Sequence, residues 1–158
     1  MGLFRCILYL AFTGILSFLL GRILPKSLFH ADHVPFRSLA FEKGGTIYKK
    51  LGVHRWQNRL PDMSRVCPSL MPAKNTSTLK KEGLERMLQE TCVAEFIHVL
   101  LMLTGLYCLR LWPGTGGSVL AAVNALLFNL PFVIIQRYNR PRLLRLRQHR
   151  KEHRPCGH

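Results

Sequence analysis

Acidic side chains are scarce in this chain: eight Asp and Glu stand against 23 Lys and Arg among 158 residues, a formal net charge of +15. That shortage excludes sites built from several carboxylates. A Glu-x-x-His pair is present at Glu95 and His98, but a carboxylate-bridged di-iron bundle requires a second such pair and two further glutamates on neighbouring helices. Cysteine occurs five times, at Cys6, Cys67, Cys92, Cys108 and Cys156, without CxxC or Cys/His spacing. The odd count implies free thiols, no disulfide framework and no metal ligand set. No Walker lysine follows Gly44-Gly45, so these glycines are not a phosphate loop. His30 and His33 flank Asp32 without further ligands and read as a polar connector.

Unbroken apolar sequence is abundant. Hydrophobic residues make up 48% of the chain. They gather in three stretches, about 7–24, 93–111 and 119–135, each near the ~20 residues that span a bilayer core. A soluble domain of this size would spread them with a period of 3.6 or 2. The expected fold is an all-α membrane protein of about three transmembrane helices, one domain over 1–158. An interfacial and cytoplasmic loop over 25–92 and a basic tail over 137–158 complete it. Gly14 and Ser17 are close-packing points on the first span.

So basic a soluble chain would point to nucleic acid, but the placement of charge argues against that. All but Arg5 and Arg110 of the basic residues fall between Arg22 and Arg86 or between Arg137 and Arg154. With three spans, those two regions share a side. The positive-inside rule makes it cytoplasmic, facing anionic lipid. Arg5 before an apolar run resembles a signal peptide. Cleavage would put the basic loop outside, so an uncleaved span is expected.

Between Phe41 and Asp62 aromatics and cations alternate with apolar residues, as in a segment lying on lipid headgroups with Tyr48 and Trp56 as anchors. His54, Arg55, Trp56 and Asp62 form an alternative acid/base site there. Residues 63–75, with Pro68 and Pro72, read as a loop, and Thr78 as an N-cap. Leu84, Met87, Leu88 and Thr91 then follow helical spacing.

The second stretch carries Glu95 and His98 on one helix face. A central carboxylate costs roughly 2.5–3.5 kcal/mol on insertion scales, so a partner or a task is expected. Thr91, Glu95, His98, Met102 and Gly105 form one stripe that should face other helices. The third stretch carries Asn124, Asn129, Pro131 and Gln136. Pro131 should kink its helix and free a carbonyl. Pro113 to Gly117 is a turn between the two. His98 lies eight residues inside Glu90, and Asn129 eight inside Arg137, each about 12 Å along a helix. Glu95, His98, Asn129 and Gln136 are therefore expected to converge, with Arg137, Arg140 and Arg142 rimming the opening.

Glu90-Thr-Cys-Val-Ala-Glu-Phe-Ile-His98 and Asn129-Leu-Pro-Phe-Val-Ile-Ile-Gln-Arg-Tyr-Asn-Arg-Pro-Arg142 resemble signatures of the glycosyl-4,4'-diaponeurosporenoate acyltransferases. These are small bacterial membrane proteins of carotenoid glycolipid biosynthesis. Phe41-Glu-Lys-Gly-Gly45, Arg55-Trp56 and Arg59-Leu-Pro-Asp62 extend the resemblance, which covers about 41–144. Gln57 and the stretch from Cys67 to Met71 depart from the expected pattern. The resemblance implies that a fatty acyl group, carried as a thioester co-substrate with no other cofactor, moves to a sugar hydroxyl of a glycosylated carotenoid or similar glycolipid.

The residues suggest direct transfer. His98 acts as general base and Glu95 orients it. Asn129 or Gln136 donates to the oxyanion. Arg137, Arg140 and Arg142, with Tyr138 and Asn139 between them, hold the donor phosphates. Two other readings stay open: a non-catalytic lipid-binding or assembly protein in which Glu95 and His98 are structural glue, and a transporter subunit with Glu95 as proton site. Membrane lipid is the expected surrounding partner. The oligomeric state is not legible.

Overall fold

The computed structural model describes residues 1–59 and 81–152. The expected 63–75 loop, the Thr78 cap, Cys67, Cys156, Asp62 and the end of the tail lie outside the described residues.

Among the described residues the regular structure is helical. In chain order the α-helices are α1 (Gly2–Ile23), α2 (Thr46–Lys50), α3 (Val53–Trp56), α4 (Lys81–Gly105), α5 (Cys108–Leu111), α6 (Thr115–Val123) and α7 (Leu130–Glu152). A wide π-helical turn, Asn124–Asn129, joins α6 to α7. Three helical stretches are long and apolar enough to cross a membrane: Gly2–Ile23, Glu82–Leu111 and Thr115–Arg150. They cover the three expected apolar stretches to within one residue, and the second and third run well past the apolar windows. The all-α membrane class read from the sequence is the class observed.

The chain divides into two compact units. One comprises Met1–Phe29 and Cys92–Gln136, the other His30–Thr91 and Arg137–His158. The boundary passes through α4 and through α7.

In the first unit α1 runs antiparallel to α4. Near one end Cys6, Tyr9 and Leu10 pack with Cys108, Leu111, Trp112, Leu120 and Ala121, and the Tyr9 hydroxyl donates to the Thr104 carbonyl at 3.0 Å. Toward the other end Gly21 faces Val93 and Ile97; a Cβ there would sit 3.3 Å from the Ile97 side chain. Gly14 meets nothing within 4 Å, so the close packing expected there falls at Gly21, two turns on. Ser17 is buried as expected. Hydroxyls in this apolar setting satisfy themselves on their own helices: Thr13 donates to Tyr9 O at 2.9 Å and Thr104 to Leu100 O at 3.0 Å. Phe4, Phe12, Ile15 and Leu16 stay exposed on α1, the outward apolar coat a bilayer requires. The turn after α5 is tighter than the Pro-Gly-rich run suggests, since α6 begins at Thr115. A Cβ on Gly117 would lie 2.1 Å from the Trp112 carbonyl oxygen, so only glycine lets the two backbones meet there.

In the second unit the start of α4 buries the expected face: Leu84, Met87, Leu88 and Thr91 are all buried. Tyr48 differs from its expected place on the headgroups. It is buried, with its hydroxyl donated to the Glu42 carboxylate, because a buried carboxylate needs donors more than the interface needs another ring.

Candidate functional site: a histidine held by two asparagines

The polar stripe of α4 lies on a largely buried face, with Thr91 and Glu95 each 4% exposed and His98 and Met102 half-buried. Helical spacing alone brings Glu95 and His98 onto that face. The third helical stretch brings Asn129 to it: His98 Nδ1 lies 3.0 Å from Asn129 Oδ1. The imidazole also stacks on Phe132, with ring centroids 4.7 Å apart and planes 6° from parallel.

Asn129 is itself fixed from behind. Its Nδ2 donates to the backbone carbonyl of Asn124 at 2.8 Å and to Asn124 Oδ1 at 3.1 Å. Asn124 Nδ2 in turn donates to the Leu101 carbonyl on α4 at 3.0 Å. A backbone carbonyl can only accept, so the Leu101 and Asn124 carbonyls fix which end of each carboxamide is nitrogen. Asn129 therefore presents oxygen to the imidazole. It follows that His98 Nδ1 carries the proton and donates, leaving the Nε2 lone pair as the basic atom.

The wide turn contains this chain of bonds, with Asn124 at its start and Asn129 at its end. In the π-helical turn the Leu130 N–H reaches back five residues to Ala125, and the Asn129 side chain reaches the Asn124 carbonyl. Pro131, which has no N–H to give, follows two residues later. Such single wide turns recur at functional sites. Asn124 was legible as a polar residue in an apolar stretch, but its link to Asn129 depends on an i, i+5 geometry that no α-helical spacing suggests.

The structure thus gives His98 a carboxamide partner where the sequence suggested Glu95. Both Asn129 N–H groups are donated to Asn124, so this side chain has no donor left for a further acceptor. Gln136, half-buried in the same unit, has no side-chain hydrogen bond among the described residues.

The second unit holds the remaining candidates. Glu42 is 1% exposed and accepts from Tyr48, from the Leu39 N–H at 2.7 Å and from Arg137 Nη1 at 2.8 Å. Burial opposes its ionisation, but the Tyr48 and Arg137 hydrogen bonds, the Leu39 N–H and the Arg137 charge outweigh it and hold the carboxyl below its ordinary range. Arg137 Nη2 continues to the Pro35 carbonyl at 3.0 Å.

Arg140 is 2% exposed. Its Nε and Nη2 grip the hydroxyl and carbonyl of Thr91 at 3.1 and 3.0 Å, its Nη1 donates to the Phe36 carbonyl at 2.7 Å, and its plane lies over the Phe36 ring. Arg142 is exposed; its Nη1 donates to the Tyr138 hydroxyl at 3.3 Å and it lies 5.2 Å from that ring. Tyr138 is buried and Asn139 half-buried. Farther along α7, Arg147 bridges Asp32 at 2.7 Å and Glu85 at 3.3 Å. On α3, His54 and Arg55 are exposed and Trp56 Nε1 donates to the Leu51 carbonyl at 3.3 Å; their expected companion Asp62 lies outside the described residues.

Three helical stretches long and apolar enough to cross a membrane define an integral-membrane protein of the all-α class, with a hydrogen-bonded imidazole on an inward face. The chain belongs to the glycosyl-4,4'-diaponeurosporenoate acyltransferase family, whose model matches residues 25–149, and is thus an acyltransferase. Among its relatives is the glycosyl-4,4'-diaponeurosporenoate acyltransferase of Staphylococcus aureus strain MRSA252, 30% identical over 147 residues, covering 90% of this chain and 86% of that protein. Those of strains bovine RF122 / ET3-1 and N315 are 29% identical over the same coverage. No solved structure matches the chain.

Proposed function

We propose that this protein transfers a fatty acyl group from a thioester to a sugar hydroxyl of a glycosylated carotenoid or similar membrane glycolipid, with His98 Nε2 as the base. The observation that carries the reading is the bond series from Leu101 through Asn124 and Asn129 to His98, which leaves Nε2 unprotonated and fixes its direction. The names of the relatives support the acceptor class.

The sugar hydroxyl gives its proton to His98 Nε2 as its oxygen bonds to the thioester carbonyl carbon. The resulting tetrahedral oxyanion collapses, the C–S bond breaks, and the leaving thiolate takes the proton back from Nε2. The products are an ester and a free thiol. Asn129 stabilises the transient imidazolium by accepting from Nδ1–H, and the ring is held flat by Phe132. Gln136, with no side-chain hydrogen bond among the described residues, is the donor assigned to the oxyanion. Glu95, one turn before His98 on the same helix face, is assigned a supporting role beside the ring.

Among the three arginines of the signature, Arg142 is assigned to the phosphates of the donor carrier. Arg137 and Arg140 keep their protein partners and position the segment. The basic loop and tail face the cytoplasm, where acyl thioesters are made available, by the positive-inside rule.

The test is purified protein in lipid nanodiscs with an acyl thioester and a glycolipid acceptor, following free thiol and acylated product together. His98→Ala should lower turnover by about 10²–10⁴-fold, the usual contribution of a positioned base, and Glu95→Gln should lower it by a smaller factor. If both variants insert, remain folded and turn over at the wild-type rate, the assignment fails.

A further inference from the structure

We propose that the groove beside Tyr9 and Tyr107 in the first unit is a binding site for one phospholipid with an anionic headgroup. Its volume is about 710 Å³, and Tyr9, Leu103, Leu106, Tyr107, Leu109 and Arg110 line it. The three leucines are exposed, at 60%, 51% and 45%, so they offer an apolar floor open to the bilayer. The Tyr9 and Tyr107 rings lie 5.3 Å apart, and tyrosines of this kind sit at headgroup level. Arg110 stands at the same rim.

The charge balance of the unit selects the headgroup. Arg110 is exposed and forms no ion pair among the described residues. Glu95 is the one carboxylate in the sequence of this unit. It lies 15 residues earlier in the chain, about 22 Å away at helical rise. Arg5, also exposed, is one turn before Tyr9 on α1. Cys6 on Cys108 fixes this turn of α1 against α5, so both cations mark one end of the unit with no acid of this unit beside them. An arginine at the edge of hydrocarbon carries its guanidinium to the headgroup level, where anionic lipid attracts it. A guanidinium pairs with a phosphodiester in bidentate fashion. A zwitterionic lipid neutralises its own phosphate, whereas an anionic one leaves a charge for Arg110. The adjoining leucine floor takes an acyl chain, which a free phosphate would leave bare.

The test uses fluorescence of Trp112, two residues from Arg110. The chain has two tryptophans, so a Trp56→Phe background isolates it. The full chain is reconstituted in phosphatidylcholine nanodiscs containing a low mole fraction of acyl-brominated phosphatidylglycerol or acyl-brominated phosphatidylcholine. Brominated phosphatidylglycerol should quench about fivefold more effectively per molecule, the factor contributed by one interfacial cation. Raising the salt should shrink that preference. Arg110→Gln should abolish it and Arg110→Lys should keep part of it. Equal quenching by the two lipids in the parent protein, a preference insensitive to salt, or a preference unchanged in a folded Arg110→Gln variant would each overturn the site.

Discussion

His98 Nδ1 and Asn129 Oδ1 lie 3.0 Å apart across two antiparallel helices, and this one contact decides which nitrogen of the imidazole is basic. An asparagine in this place fixes a tautomer without adding a charge to the apolar interior. Replacing it tests orientation separately from basicity. Asn129→Ala should reduce kcat by about 10–100-fold, the range seen when a supporting partner is removed, with KM for both substrates little changed. Steady-state kinetics of the folded variant in nanodiscs checks this. A loss confined to KM would move Asn129 from positioning to substrate contact.

Gly105 is the position where α4 makes room for the second asparagine. A Cβ there would sit 2.0 Å from Asn124 Nδ2, far inside contact distance. Gly105→Ala must push Asn124 off the Leu101 carbonyl. The expected result is a loss of about 1–3 kcal/mol from overpacking, seen as a lower Tm in detergent, together with a fall in kcat like that of Asn129→Ala. Gly14→Ala, which meets open space, is the control and should leave both unchanged.

Arg140 and Arg142 are two residues apart and should fail differently. Arg140→Lys removes the fork that holds Thr91 and Phe36 together, and lysine cannot reproduce it. Its Tm should fall, with about 1–3 kcal/mol lost for unsatisfied buried acceptors. Arg142→Gln should leave Tm unchanged and raise KM for the thioester donor. Unfolding curves and donor titrations on the two variants separate the roles.

Glu42 gives the second unit a sensitivity to acid. Its folded-state carboxyl is held below its ordinary range. The stabilisation is therefore complete above the unfolded carboxyl's pKa, about 4.3, and is lost as pH falls through the lower folded value. Glu42→Gln should be less stable than the parent at neutral pH, and the gap between them should narrow as pH falls below about 4. Thermal unfolding from neutral to acidic pH measures it. A constant gap across that range would remove Glu42 from the acid limb.

The membrane class was legible because a bilayer demands long apolar runs, and the three stretches have nothing else to be. The face carrying Leu84, Met87, Leu88 and Thr91 was legible for a related reason: 3.6-residue periodicity is written directly in the chain. His98 and Asn129 could be brought to one depth by counting residues from the charged ends. Their bond, and the wide turn behind it, could not be read, since the backbone leaves α-geometry for one turn and the usual spacing rules stop applying. Tyr48 was misplaced on the headgroups because an aromatic beside lysines has the composition of an interfacial anchor. Its inward turn is set by Glu42, six residues away, which composition does not weigh. The arginines carry the same lesson: a cluster on paper separates in space into a buried clamp at Arg140 and an exposed cation at Arg142.

The six-residue turn from Asn124 to Asn129 is, in chain length, one residue more than an α-helix would spend there. Each α-helical residue turns the chain by about 100°. Deleting a single residue between Asn124 and Asn129 would leave Asn124 on the Leu101 carbonyl while swinging Asn129 and Phe132 away from His98 by that angle. The hydropathy of such a chain would be almost unchanged and it should still insert, yet the imidazole would lose both the amide beneath it and the ring against its face. Length in this short stretch is therefore under a constraint separate from that on amino-acid type, and a one-residue gap here is more damaging than any conservative substitution at the same positions.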